Sequence, residues 1–401
     1  MLAQTYTVIH NFTGPDGATP MVGLTMDKAG NLYGTTEYGG TGGEGYCGSS
    51  GCGTVFKLAH KSSGWVFNPL YSFQGGSDGA YPEARVVIGA DGSFYGTTTK
   101  GGEPGDCYGW PGCGTVFNLK PSPARPKTAL SPWTETVLYR FQGTPDGSYP
   151  AGEMAFDYTG SLYGATSGGG AYGHDYSGTI FELAPSNGGW TESVLYSFQQ
   201  AEPNGVTFDQ AGNLDGTTVI GGDNDDGTVF QLARSGPGWT LNTLHDFSGD
   251  DGYSLFAGVT FDSAGNLYGA TLNSQPNGDA LVFEMTPSNG GWAYNVLYRF
   301  VQSYGGGPAA QLVMDAAGNL YGTTRGAAFT NNPFGSVFKL TPSNGGWFYT
   351  DLHDFAGGSD GSTPYSSLVL DAQGNIYGTA SAGGTSSNCK GGCGVVWQIT
   401  P

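Results

Sequence analysis

The sequence predicts an all-β fold, a seven-bladed β-propeller with four antiparallel strands per blade. Three observations predict it. A five-residue word, Leu32-Tyr33-Gly34-Thr35-Thr36, recurs six more times along the 401 residues, centred on Gly96, Gly164, Gly216, Gly269, Gly322 and Gly378. Those glycines stand 62, 68, 52, 53, 53 and 56 residues apart, the spacing of an array of small sheets. The last repeat stops one strand short, and the N-terminus carries the missing copy.

The second repeat shows the elements in order. Residues 84–88 form the first strand, and a tight turn at Ala90-Asp91-Gly92 leads to the second, residues 94–98. A long Gly-rich loop precedes the third strand, residues 114–117. A Pro/Ser/Gly connection ends at Trp133 before the fourth, residues 137–141. The fourth-strand pattern (Leu, then Tyr or His, then Phe two residues on) occurs at Leu70, Leu138, Leu195, Leu244, Leu297 and Leu352, six copies for seven repeats. Residues 395–400 end the chain without one, and Ile9-His10-Asn11-Phe12 supplies it. The N-terminal strand therefore completes the last blade, closes the ring and leaves no unpaired edge. Residues 1–401 form one domain on this reading. Its blades cover 13–74, 75–142, 143–199, 200–248, 249–301, 302–356, and 357–401 plus 4–12.

These words resemble the GloVer tandem repeat. Leu-Tyr-Gly-Thr-Thr, Gly-Thr-Val-Phe and Phe-x-Gly-x-x-Asp-Gly carry the resemblance, over residues 4–401. It implies an exported bacterial protein, of a family whose members bear varied C-terminal anchors, and it supplies no catalytic residues. The chain departs from that layout by ending at Pro401 without an anchor.

Composition narrows the function. Lys and Arg total 14 against 33 Asp and Glu, and the formal net charge of −19 argues against nucleic acid and anionic membranes. No apolar run reaches the length of a membrane span. No signal-peptide pattern precedes the strand at Thr5, so the chain reads as a mature or trimmed sequence. Six cysteines pair locally as Cys47–Cys52, Cys107–Cys113 and Cys389–Cys393, each inside a loop between strands two and three. Disulfides imply an oxidising, extracellular or cell-surface location. They fall on blades seven, one and two, which are neighbours around a closed ring, and harden one arc of the face.

Loops from strand four to one and from strand two to three emerge on one face. Both classes are elaborate, whereas the opposite face carries terse Asp-x-x-Gly-Asn turns. The four-to-one loops repeat Asp-Gly (Asp16, Asp78, Asp146, Asp251, Asp360), either a ring of cation ligands or a set of turn caps, with repetition favouring the caps. The non-repeated acidic loop Asp223-Asn224-Asp225-Asp226-Gly227 is the candidate Ca²⁺ site, through Asp223, Asp225 and Asp226, without full EF-hand spacing.

Strand register assigns the channel wall. Four residues before the end of each first strand stand Gly23, Arg85, Glu153, Gly205, Gly258, Gln311 and Ser367. Arg85 and Glu153 should meet in the central concavity with Gln311 across from them. They form either a pair poised over a ligand or one that satisfies itself. His174, alone in its loop, is a candidate base or sugar ligand. Trp110, Tyr46, Tyr108, Tyr172 and Tyr176 give the loop face aromatics suited to carbohydrate stacking or protein contact.

The first functional expectation is therefore an exported, non-catalytic binding or scaffold propeller. Its partner is a polysaccharide or an extracellular protein, with self-assembly into an array as a variant of the same reading. The rival is a polysaccharide lyase or glycoside hydrolase at the channel mouth, using Arg85, Glu153 and His174.

Overall fold

The computed structural model describes residues 4–102, 106–107, 109–122, 133–173, 175–236, 238–274, 278–301, 306–326 and 333–401. Its strands form seven four-stranded antiparallel sheets and one short ribbon, Asp106–Cys107 with Trp110–Pro111. Blade one is typical: Thr25–Met26, Leu32–Thr36, Thr54–Lys61 and Gly64–Ser72, paired in that order. Blade seven takes Val369–Leu370, Ile376–Ala380 and Val395–Thr400 from the C-terminus and Thr5–Asn11 from the N-terminus. Thr5 pairs with Thr400 and Asn11 with Val395, so the first strand closes the ring.

Every letter of the repeated word has a packing reason. Its Leu is fully buried in blades one, three, four, five and six. Its Tyr hydroxyl donates to the Asp of the preceding turn, as Tyr33 does to Asp27 at 2.9 Å and Tyr377 to Asp371 at 3.0 Å. Its Gly makes room for the aromatic ring opposite: a Cβ on Gly34 would lie 2.6 Å from Phe56, and one on Gly378 would lie 2.4 Å from Trp397. Its first Thr crosses to the next blade, where Thr35, Thr217 and Thr379 donate to the carbonyls of Ala84, Ala257 and Pro20. Its second Thr meets a hydroxyl on strand three, as in Thr36 with Thr54 and Thr98 with Thr115.

Those threonines explain one departure from the sequence reading. The first strand pairs with the second over only two residues in six blades, Val87–Ile88 in blade two rather than 84–88. Above that point the inner segment leaves its own sheet to line the channel. Its carbonyls find the preceding blade's threonines instead, which satisfies buried backbone without a ladder. Blade three alone keeps a long inner strand, Ser148–Phe156. The fourth strand carries a β-bulge in every blade, at the Leu of its pattern or, in blade seven, at Ile9.

The core is a set of wedges. Seven apolar clusters each span two adjacent blades. Fourth-strand tryptophans seal them from outside: Trp65, Trp190, Trp239 and Trp347 meet the repeat tyrosine of the preceding blade, Tyr377, Tyr95, Tyr163 and Tyr268. Asp215 stands in that tyrosine row in blade four. It is fully buried, with one oxygen on Gln231 and the other without a hydrogen-bond partner, and burial pushes its carboxyl up to about 7.

Candidate functional site at the channel mouth

The two elaborate loop classes share one face, tied by short bridges between them, such as Ala18 with Tyr38 and Ala80 with Lys100. The Asp-Gly carboxylates turn inward as caps. Asp16 accepts from the Thr13 amide and hydroxyl and from the His10 ring at 3.1 Å. Asp78 and Asp146 accept from Tyr71 and Tyr139, each at 2.6 Å, and from the amides of Gln74 and Gln142. Asp251 does the same with His245 and Ser248. The fourth-strand Tyr or His is thus the partner of the following Asp. This accounts for His10, His245 and His353 and makes the four-to-one carboxylates turn caps.

The acidic loop does not assemble a ligand set either. Asp225, at φ +63°, accepts the Gly221 amide, while the Asp223 amide donates to Asp246. Asn224 spans to the Phe247 carbonyl. Among the described residues no group of three or more His, Cys, Asp or Glu could hold a metal ion. The expected Ca²⁺ site through Asp223, Asp225 and Asp226 finds no support in this arrangement, in which the Asp225 carboxylate caps its own turn.

The channel-wall register holds. A cavity of about 560 Å³ opens at the centre, and Gly23, Arg85, Glu153, Gly205, Gly258, Gln311 and Ser367 all line it. Arg85 Nη2 donates to Glu153 Oε2 at 2.6 Å across the boundary of blades two and three, with the side chains 29% and 25% exposed. Gly205 permits this pairing its backbone setting: at φ +57° it lies so close that a Cβ would sit 2.7 Å from the Glu153 nitrogen. Gln311 lines the same cavity. Its amide donates to the Val259 carbonyl at 2.7 Å and props the neighbouring inner segment.

Two charged groups of the mouth were missed by that register. Glu83 stands two residues before Arg85 and accepts from the Thr99 hydroxyl at 3.3 Å. Burial, reinforced by the like charge of Glu37, pushes its carboxyl up to about 7. Arg325 follows the repeated word of blade six and reaches the same cavity. Arg325 is the one cation in its row, and Glu83 is the one charged group in a row held elsewhere by Met21, Ala151, Pro203, Phe256, Ala309 and Tyr365; those contrasts were the available signal.

The expected rim aromatics scatter. Tyr46 is structural: its hydroxyl donates to the Pro111 carbonyl in the next blade, and Gly75 packs against its ring. Tyr172 and Tyr176 are 48% and 56% exposed on the blade-three loop, away from the cavity wall. Tyr108, His174 and the Trp110 side chain lie outside the described residues. The three disulfides Cys47–Cys52, Cys107–Cys113 and Cys389–Cys393 form as expected, on adjacent blades. Tyr149 donates to the Cys107 carbonyl and Asn388 to that of Thr13, so this arc of loops interlocks across blade boundaries.

Ring, wedge cores and a polar mouth define a β-propeller with a central concavity. The chain belongs to the Gloeobacter/Verrucomicrobia repeat family, whose model matches residues 1–205 and 202–401. No curated protein matches it. Among solved structures it is similar to a putative 6-phosphogluconolactonase from Bacteroides uniformis, at 13% identity and a TM-score of 0.51 over 84% of this chain and 87% of that one. It is also similar to a putative oxidoreductase (glucose dehydrogenase) from Thermus thermophilus, at 12% identity and a TM-score of 0.44, over 99% of this chain and 100% of that one. The first likeness shows the fold alone. Among the described residues no helix is long and apolar enough to cross a membrane.

Proposed function

We propose that this is an exported binding propeller that takes a carbohydrate chain into the cavity at its loop-bearing mouth. The cavity itself carries the reading. About 560 Å³ suits a few sugar rings, and its wall mixes apolar faces (Met154, Phe256, Tyr365) with a few convergent polar groups. Three disulfides support an oxidising compartment and thus export. The Arg85–Glu153 pair supports binding over catalysis, because each group already holds the other at 2.6 Å.

The lyase or hydrolase reading keeps one observation in its favour, the Glu83 carboxyl near 7 inside a concavity, a setting suited to general acid–base work. One plate decides between them. A panel of soluble polysaccharides is assayed for binding and for release of reducing or unsaturated ends. Binding without product is the expected result. Product that disappears in Glu83→Gln, with binding kept, would establish the enzyme. Silence in both assays would reject a carbohydrate ligand and leave a protein partner.

A further inference from the structure

We infer that the mouth cavity is built for a saccharide bearing a carboxylate, and that Arg325 receives that carboxylate. This rests on the carbohydrate reading above and names the class of sugar.

Arg325 is not a repeat residue. The same position, directly after the repeated word, holds Glu37, Thr99, Ser167, Val219, Leu272 and Ser381 in the other blades. Only in blade six does a cation stand there. Its guanidinium lies 4.6 Å from the ring centroid of Tyr365 in blade seven and 6.0 Å from that of Phe256 in blade five. Two aromatic faces from flanking blades thus hold it over the cavity.

Among the described residues no hydrogen bond or ion pair completes the arginine. Its Nε is buried without a hydrogen-bond partner. Among the described residues no carboxylate lies within ion-pair distance of it, whereas Arg85 holds Glu153 and Arg299 holds Asp279. Acidic partners are plentiful in a chain with 33 Asp and Glu against 14 Lys and Arg, so the vacancy is not a shortage. A partly desolvated guanidinium without a partner costs stability, and a ligand that arrives with the complementary group recovers it.

The chemistry of the ligand follows. A planar guanidinium fork matches the two oxygens of a carboxylate. Phe256, 47% exposed, offers a pyranose ring an apolar face beside it. Glu83 and the wall backbone stand across the cavity for sugar hydroxyls, and Glu153 is already engaged by Arg85. A uronate residue presents this combination, an apolar ring face, hydroxyls and one carboxylate.

Calorimetric titration of the whole chain tests it. The probes are uronate trisaccharides of galacto, gluco and manno configuration, their methyl esters, neutral trisaccharides and sulfated ones. At least one uronate should bind about tenfold or more tightly than its own methyl ester, the worth of a charge-assisted contact. Arg325→Gln should erase that preference and Arg325→Lys restore part of it. Equal binding of acid and ester, or a preference that survives Arg325→Gln, would overturn the inference. Neutral sugars that bind as well as acids would overturn it while leaving the carbohydrate reading intact. A sulfated sugar that binds more tightly would overturn the carboxylate assignment. No binding by any saccharide would overturn both. If Arg325→Gln does not fold, the acid–ester comparison on the unaltered protein decides.

Discussion

At the scale of single residues, the repeated word is an inventory of packing constraints. Gly34 is glycine because Phe56 occupies the space of its side chain, so Gly34→Ala should destabilise by about 1–3 kcal/mol through overpacking, read as a lowered melting temperature. Asp215 breaks the word and is instructive for that reason. Burial raises its carboxyl to about 7, far above an unfolded aspartate. A raised folded pKa means that the stability it contributes is complete below about pH 4 and lost as pH rises through 7. Asp215→Asn keeps an acceptor for Gln231 and never ionises. Its stabilising effect should grow between pH 5 and pH 8 by on the order of 2–4 kcal/mol, by paired thermal melts. The substitution of Tyr by Asp was visible in the sequence. Its burial was not, because burial at that row depends on the neighbouring blade.

At the scale of elements, ring closure and the disulfide arc were both legible, since each depends on order along the chain. Counting fourth strands was enough to place Thr5–Asn11 beside Val395–Thr400. Removal of residues 1–12 should therefore leave strand 395–400 as an open edge and yield an unfolded or aggregating protein by light scattering, with partial recovery when a peptide of residues 4–12 is added. The disulfides close loops of four to six residues, worth about 2 kcal/mol each, and loops also interlock through Tyr46 and Tyr149. Cys107→Ser with Cys113→Ser should keep the propeller's circular dichroism, lower its melting temperature modestly and open the 101–114 loop to protease. The inner strand was less legible. Alternation along 84–88 correctly predicted the channel row. It could not show that the carbonyls there bond to threonines of the adjacent blade.

At the scale of the whole molecule, two families of carboxylates pull stability in opposite directions. The turn aspartates Asp27, Asp157, Asp262, Asp315 and Asp371 are held below the ordinary range. Burial opposes this, but the hydrogen bonds of their own turns outweigh it. Their contribution is present above about pH 4 and lost as pH falls further. Glu83, Glu135 and Glu192 are pushed up to about 7, 8 and 7, first by burial and then by neighbouring carboxylates, and the stability they contribute fades as pH rises through those values. Self-repulsion from a net charge of −19 adds to the loss at high pH. Melting temperature should peak between about pH 4 and 6 and fall on both sides, and a peak above pH 8 would contradict this assignment.

The mouth brings these scales together. Period and register located its wall, including Arg85 and Glu153, because inner strands repeat regularly. Glu83 escaped because the count stopped two residues short of it along the same alternation, and Arg325 because it follows the second strand, outside the first-strand row. The central claim is that the ligand enters this cavity and not the aromatic rim. Hydrogen–deuterium exchange with and without a bound polysaccharide tests it most directly. New protection is expected at residues 83–86, 205–207, 256–259, 309–311 and 365–367. Protection confined to the rim loops 42–52 and 169–177, with the channel segments unchanged, would contradict it.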